Sequence, residues 1–192
     1  MPYPAKTNRS DILEAALEVL ASSPDGALSI RAVAARLGLA PNALYKYFPS
    51  RAALLAAIAD HAARLVLAAL VKGRGSEKKG DFSGGLRGVA RAYLHFAAEH
   101  PNLYAVMMTK HETSGVITAN ETAGHDELWA FVLSLLTPMT GKKHAPHAAV
   151  ATWCLLHGMV GLEAAELLGT KKPRAGMILG LEALLAGFAR LG

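Results

Sequence analysis

The sequence is poor in charged residues, aromatic residues and cysteine. Of its 192 residues, 18% are charged, 6% are aromatic and one, Cys154, is a cysteine. A single cysteine cannot form an intramolecular disulfide, which is typical of proteins in the reducing cytoplasm. No stretch reaches the roughly 18 uninterrupted apolar residues that indicate a transmembrane helix, and the first residues lack the apolar segment of a signal peptide. The sequence therefore predicts a cytoplasmic protein without a membrane partner.

The motifs of common enzyme classes are also missing. The chain has no G-x-S-x-G motif, no phosphate-binding glycine loop and no G-x-G-x-x-G motif. His111 and Glu112 begin like the H-E-x-x-H zinc motif, but Gly115 stands in place of the second histidine. Neither Glu163 nor Glu166 is followed by histidine at the spacing of a helical di-iron site. We therefore expect no enzyme activity, no catalytic residue and no cofactor.

Histidines near the middle of the second half offer an incomplete metal motif. His144 and His147 are two residues apart, and Cys154 and His157 follow. Zinc sites need clustered Cys and His ligands, whereas here one cysteine stands among scattered histidines, and Lys142 would oppose a cation. The sequence predicts no metal site.

Apolar residues are abundant, and basic charge is concentrated early in the chain. The hydrophobic share of 52% excludes a disordered protein. It also exceeds what a small monomer needs, which indicates a buried interface. Residues 1–74 hold 9 Lys or Arg against 5 Asp or Glu, whereas residues 75–192 hold 11 against 10. A basic excess of this kind is what a phosphate-binding surface requires.

Helical spacing of apolar residues runs through most of the chain. It predicts an all-α fold of about nine helices. Outside residues 28–51, the predicted helices cover about 8–22, 50–72, 82–100, 103–108, 126–136, 147–168 and 174–190, and 137–146 is predicted to be a loop.

Residues 28–51 carry the pattern of a helix-turn-helix. The apolar residues of the first helix recur at i, i+3, i+4 and i+7, at Ile30, Val33, Ala34 and Leu37. Ser29 suits the N-cap of this helix, and Gly38 suits a left-handed C-cap. A tight glycine turn between two short helices is the layout of this motif.

The second helix of the pair is predicted to run from Pro41 to Tyr47 and to enter the major groove of DNA. Proline fits the first position of a helix because its missing N–H would be unbonded there. Leu44 and Phe48, four residues apart, can anchor this helix to the core. Pro49 ends the helix, and the following serine can cap the next one.

Three stretches of this segment resemble the tetracycline-repressor (TetR) family of regulators. They are Ile30–Ala34, Leu37–Leu39 and Leu44–Arg51, the last of which reads LYKYFPSR. Ala40 departs from the Ser or Thr that is frequent in the family, so no phosphate contact is carried onto it. In the second half, Trp153 to Val160 is similar to the W-x3-HG signature of a WHG-type C-terminal domain found in part of the family.

The resemblance implies two domains. Residues 1–51 would form a three-helix DNA-binding domain, and residues 52–192 a helical domain that binds an effector and dimerises. Helix 4, about 50–72, would link the two.

The candidate DNA contacts divide by chemistry into positioning and base-reading groups. Arg51 and the hydroxyls of Tyr45 and Tyr47 would donate to phosphates, which fixes position without reading bases. Base reading would involve Asn42, Ala43, Lys46 and Arg31, while the helix start at Ser29 offers backbone N–H groups to phosphate. The alternative is that both tyrosines pack in a small helical domain and Arg31 is solvated.

Candidate ligand-binding residues are the large apolar side chains of the body with a few polar neighbours, as is usual for small-molecule sites. They are Tyr93, Phe96, Tyr104, Met107, Met108, Trp129, Phe131, Trp153, Cys154 and His157. The alternative is that they are ordinary core residues.

The last two predicted helices are apolar on more than one face, which indicates burial on both sides. We therefore expect a homodimer through a four-helix bundle. The interface candidates are Leu155, Met159, Leu162, Ile178, Leu181, Leu185 and Phe188.

By resemblance, the sequence predicts a homodimeric transcriptional repressor that binds a palindromic double-stranded DNA operator and is released by a small-molecule effector. The alternative from another class is a dimeric helical ligand-binding or scaffolding protein that does not bind DNA.

Overall fold

A computed structural model describes residues 7–75, 82–109, 111, 123–169 and 173–191. These residues form eight α-helices and no strand, which confirms the all-α prediction. The helices are α1 (Arg9–Ala21), α2 (Ile30–Arg36), α3 (Pro41–Leu44), α4 (Arg51–Gly75), α5 (Phe82–Glu99), α6 (Pro101–Met108), α7 (Ala123–Ala164) and α8 (Pro173–Phe188).

The chain divides into two compact units. The first comprises Met1–Arg64 and His100–His125, and the second comprises Leu65–Glu99 and Asp126–Gly192. Both α4 and α7 begin in the first unit and continue into the second. The functional boundary expected after residue 51 stays a prediction.

The core of the first unit is built by α1, α2, α3, the first half of α4 and α6. Its most deeply buried large side chains are Ile12, Leu20, Val33, Leu44, Leu54 and Ile58. Asn102 ties α6 to the end of α1, because its amide donates to the carbonyls of Leu20 (3.0 Å) and Ser23 (2.8 Å). The apolar face predicted for α2 lies in this core: Val33 and Ala34 are buried, with Ile30 and Leu37 packed against the cluster.

The second unit packs α5 against the rest of α4, α7 and α8. Arg87 on α5 forms a two-bond ion pair with Glu182 on α8, at 2.5 and 2.8 Å. Trp153 on α7 donates its indole N–H to the hydroxyl of Tyr93 on α5, at 3.2 Å. These polar contacts link α5 to both of the last two helices.

The prediction of a loop over 137–146 is wrong. α7 is helical from Ala123 to Ala164 except at Gly141, whose φ of 69° and ψ of 161° break the helix at one residue. It therefore contains the helix predicted over 126–136 and most of the one predicted over 147–168, which ends at Ala164. The hydroxyls of Thr137 and Thr140 donate to the carbonyls four residues earlier, at 2.7 and 3.0 Å, a bond that a threonine inside a helix can make.

Among the described residues, α4 alone is long and apolar enough to cross a membrane by length and composition. Half of that apolar window is buried inside the protein. Ile58 and Val66 are completely buried. A mostly buried core helix of a globular domain meets the same criteria of length and composition, so α4 is weak evidence for a membrane span.

Candidate nucleic-acid interface

The start and end of α2 follow their predicted capping chemistry. The Ser29 hydroxyl accepts the N–H of Ala32 at 3.2 Å, which confirms the predicted N-cap. Gly38 has a φ of +67°, the left-handed conformation that favours glycine. The N–H of Leu39 donates to Ala34 (2.8 Å) and that of Gly38 to Ala35 (3.1 Å), the bond pair of a Schellman C-cap. Local sequence thus determines where α2 ends and the chain turns.

The second helix of the motif is shorter than predicted. α3 covers Pro41–Leu44, and the residues to Ser50 form turns rather than helix. Proline occupies its first turn, as predicted, and Ala40 gives it no side-chain N-cap. Leu44 and Phe48 are 1% and 3% exposed, so both anchor this segment in the core of the first unit. We call residues 41–48 the recognition segment.

Contacts with the start of α1 support the C-terminal part of the recognition segment. The Tyr47 hydroxyl donates to the Thr7 carbonyl at 2.6 Å. Arg9 donates from Nη1 to the Tyr47 carbonyl at 2.7 Å, and its guanidinium lies 4.3 Å from the centre of the Phe48 ring. The Tyr47 hydroxyl therefore cannot donate to a phosphate without breaking its bond to Thr7, and its phosphate contact stays a prediction.

Sequence reasoning did not identify Arg9 as part of this site. Arg9 and Tyr47 lie 38 residues apart. Only the packing of α1 against the recognition segment brings them together, and no local motif marks the pair.

The remaining candidate DNA contacts form an exposed, basic surface. Asn42, Lys46 and Arg31 are exposed, Tyr45 is 45% exposed, and Ala43 is half-buried. Residues 28–51 contain four basic residues and no acidic one. One of the four, Arg36, pairs with Glu18 on α1. The others leave positive charge around the recognition segment.

Arg51 is exposed, and its side chain also makes a hydrogen bond within the protein. Its Nε donates to the Leu28 carbonyl at 3.1 Å, which ties the start of α4 to the residue before α2. The Ser50 hydroxyl accepts the N–H of Ala53 at 3.0 Å and caps α4, as predicted. The helix that leaves this surface is therefore held to it by both residues.

The predicted ligand-binding residues fall into both units. Tyr104 and Met107 are buried and Met108 is half-buried in the first unit; Tyr93 and Phe96 are buried and Phe131 is half-buried in the second. The other four candidates, all in the second unit, are exposed: Trp129, Trp153, Cys154 and His157. The exposed group does not resemble the lining of a closed apolar cavity. A shared ligand pocket stays a prediction.

The described part of the chain shows no group of three or more His, Cys, Asp or Glu side chains that could hold a metal ion. Cys154 is exposed and is a free thiol.

Two family models match the chain. The model described as "Bacterial regulatory proteins, tetR family" matches residues 12–58, and "Tetracyclin repressor-like, C-terminal domain" matches residues 86–191. The second match includes the W-x3-HG segment. No curated protein matches the chain.

Solved structures share the whole fold at low sequence identity. A Rhodococcus protein of unknown function is 23% identical with a TM-score of 0.78, covering 98% of this chain and 99% of its own. A TetR-type transcriptional regulator from Streptomyces coelicolor is 21% identical with a TM-score of 0.68, covering 96% and 99%. A single-residue variant of TetR from Acinetobacter baumannii, in complex with minocycline, is 24% identical with a TM-score of 0.67, covering 97% and 98%. At these identities, the similarity establishes the fold.

Proposed function

The chain belongs to the TetR family of bacterial regulatory proteins, and on this premise we propose that it is a homodimeric repressor released from a palindromic operator by a small molecule. The family consists of DNA-binding transcriptional regulators rather than enzymes. The observation that supports operator binding most directly is the recognition segment, which is anchored in the core by Leu44 and Phe48 and exposes Asn42 and Lys46.

Base reading is proposed for the exposed polar side chains of this segment. Lys46 can donate to a guanine, Asn42 can make two hydrogen bonds to an adenine, and the Ala43 methyl can contact a thymine methyl. Arg31 on α2 can add a further donor. The wide major groove admits a helix and presents a different pattern for each base pair, so these few side chains suffice for sequence preference.

Phosphate contacts are proposed for Arg51 and Tyr45. Arg51 uses Nε internally, and its two terminal nitrogens can donate to a phosphate while that bond persists. The Tyr45 hydroxyl lies on a half-exposed side chain. Such contacts hold the protein in register on the duplex and carry no base information.

Dimerisation is proposed through an exposed apolar face of α7 and α8. Its large side chains include Val150, Trp153 and Leu162 on α7, and Ile178 (54% exposed) and Leu179 (72% exposed) on α8. Large exposed apolar surfaces on a protein often mark sites of interaction with another protein. Three of the sequence-predicted interface residues, Leu181, Leu185 and Phe188, are buried by the protomer itself. The proposed interface therefore omits them and keeps Ile178 and Leu162, with the half-buried Leu155 and Met159 beside them.

Exposed glycines on the same helices support a close helix-to-helix contact. A Cβ atom added at Gly158, Gly161, Gly176 or Gly187 would meet no atom within 4 Å in the protomer. Glycine within a helix costs about 1 kcal/mol relative to alanine, and nothing inside the protomer requires it at these positions. A second copy of the chain that approaches closely would explain all four.

An effector would release the protein from DNA by changing the distance between the two DNA-binding domains of the dimer, which we call the heads. Recognition segments of a dimer must lie about 34–36 Å apart to enter successive major grooves. A small molecule that binds the body can change DNA affinity only if its own affinity differs between the DNA-competent arrangement and another. The effector is proposed to contact the aromatic and Met side chains of the body.

The test is selection of bound sequences from a random duplex pool by purified protein at moderate salt. We expect a palindrome. Absence of enrichment from a folded dimer, with no small molecule found by mass spectrometry of the denatured sample, would contradict operator binding and favour the alternative of a scaffold that does not bind DNA. Phosphate contacts also predict a steep fall of affinity with salt, which a scaffold would not show.

Two substitutions separate positioning from base reading. Arg51→Ala is expected to weaken binding to all sequences, because a phosphate contact is lost. Lys46→Ala is expected also to relax the preference at one position of each half-site, with discrimination falling by roughly tenfold. If both variants changed only the general affinity, the base-reading role of Lys46 would be wrong.

A further inference from the structure

A buried carboxylate on α4 holds the first turn of α7. Asp60 is 4% exposed although it carries a charge. Its Oδ1 accepts the N–H of Gly124 at 2.7 Å, and its Oδ2 lies 2.9 Å from Nη2 of Arg64, one turn further along α4. His125 Nδ1 is 3.9 Å from Oδ1. Removing a charge from water is costly unless it is paired and hydrogen-bonded, and these groups supply that compensation.

The contact also satisfies the start of α7. The first N–H groups of a helix have no partner inside it, and a negative charge is favourable at this end. Because α7 begins at Ala123, the Gly124 N–H is one of these free donors. Asp60 therefore caps α7 from another helix, 64 residues away in sequence.

The two helices approach so closely at this point that only glycine fits. A Cβ atom at position 124 would clash with the backbone carbonyl oxygen of Asp60 and would lie 2.9 Å from Cγ of Arg64. The clash is partly with backbone, so it cannot be relieved by moving a flexible side chain alone. The short Asp60–Gly124 contact, which we call the latch, thus depends on both residues.

The latch lies on the helix that leaves the DNA-binding surface. α4 begins at Arg51, beside the recognition segment, and continues beyond Asp60 into the second unit. α7 likewise starts at the latch and continues into the second unit, where it carries Val150, Trp153 and Leu162 of the proposed dimer face. We propose that Asp60 is a positioning residue for operator binding: by fixing α4 to the start of α7, it determines the distance between the two heads of the dimer. This inference rests on the proposed function.

The test measures the distance between heads directly, without DNA or effector. Glu14 on α1 is exposed, and Glu14→Cys in a Cys154→Ser background places one spin label on each head. Pulsed electron paramagnetic resonance then gives the distance distribution in the full-length dimer. We expect a single narrow distance in the parent, and a shifted or broadened distribution in Asp60→Ala.

Two further variants separate positioning from general loss of stability. Asp60→Asn keeps an oxygen that can accept from Gly124, and it should restore most of the parent distribution. Ile58→Val weakens the same helix two residues away, at a completely buried position, and should leave the distribution unchanged. If Asp60→Ala does not fold, Asp60→Ser replaces it, since its side chain is too short to reach Gly124. An unchanged head-to-head distance in the folded Ala or Ser variant would overturn the proposal.

Hydrogen exchange tests the latch independently of dimerisation. Loss of the acceptor should raise exchange of the Gly124 amide by roughly tenfold or more, and the increase should extend along α4. If the labelled parent gave no distance between two spin labels, the proposed dimer would be wrong. Hydrogen exchange would then be the only test of the Asp60–Gly124 contact. Equal exchange at residues 123–126 and along α4 in the parent and in Asp60→Ala would then refute it.

Discussion

At the scale of single residues, the recognition segment contains two tyrosines with different surroundings. The Tyr47 hydroxyl is part-buried and donates to Thr7, whereas Tyr45 is 45% exposed. The same residue type, two positions apart, thus has a structural bond in one case and an available hydroxyl in the other. Spacing alone could not distinguish them.

The two hydroxyls are expected to respond differently to removal. Tyr47→Phe should lower the free energy of unfolding by about 1 kcal/mol, because a part-buried hydrogen bond is lost. Tyr45→Phe should leave stability unchanged and lower operator affinity several-fold through a lost phosphate contact. Urea unfolding and DNA titration of both variants measure this. If Tyr47→Phe kept full stability but lost affinity, its hydroxyl would face DNA instead.

At the scale of elements, the turn between α2 and the recognition segment depends on one left-handed residue. Gly38 has a φ of +67° and completes the C-cap of α2. A side chain there would meet no atom within 4 Å, so the requirement for glycine is conformational rather than steric.

Gly38→Ala is therefore expected to destabilise the protein by about 1–2 kcal/mol, because an L-residue is strained in this conformation. Gly75→Ala is the matched control: it makes the same change in open space at the end of α4, outside the left-handed region. Chemical denaturation measures both. Equal stability of the two variants would contradict a conformational role for Gly38.

The ion pair between α5 and α8 predicts a pH dependence. The hydrogen bond from Arg87 lowers the pKa of Glu182 below its ordinary value; burial opposes this shift, and charge attraction to Arg87 adds to it as the smallest of the three effects. The folded chain therefore holds this proton less tightly than the unfolded chain. The stabilisation is fully present above the ordinary pKa of a glutamate and is lost as the pH falls through the lowered value.

Glu182→Gln should be slightly less stable than the parent at neutral pH, and the difference should vanish in acid. Both side chains are 40% exposed, so added salt should also reduce the difference. Unfolding by urea across this pH range is the measurement, and Glu163→Gln, at an exposed position on α7, is the control. A difference that persisted below the lowered pKa would mean that the substitution acts through packing.

At the scale of the whole molecule, the exposed apolar face of α7 and α8 predicts the oligomeric state. Ile178→Glu would bury an unpaired charge in the proposed interface, which is strongly unfavourable, and should raise the dimer dissociation constant by roughly tenfold or more. Val71→Glu, at a half-exposed position on α4, should leave it unchanged. Sedimentation equilibrium measures both; a monomeric parent, or equal dissociation constants, would contradict this interface.

Much of the fold could be predicted from local sequence. The caps at Ser29 and Ser50 and the left-handed Gly38 all depend on residues within about one turn of each other. Their chemistry is fixed before any tertiary contact forms. The loop expected over 137–146 was wrong because Pro138 and Pro146 both lie inside the helix and only Gly141 leaves it, so the local break signals did not add up to a loop.

The sequence alone thus predicted a helical DNA-binding regulator: helical period and caps indicated the helix-turn-helix, and the resemblance of segments such as LYKYFPSR indicated the family. The tertiary structure decided which apolar face of each helix is buried in the protomer and which stays exposed. Leu181 and Ile178 are both apolar on α8, yet only the first is buried in the protomer. The Asp60–Gly124 latch likewise joins residues 64 positions apart. Such contacts depend on how the helices pack. Neither residue type, taken alone, predicts which distant residue it will contact.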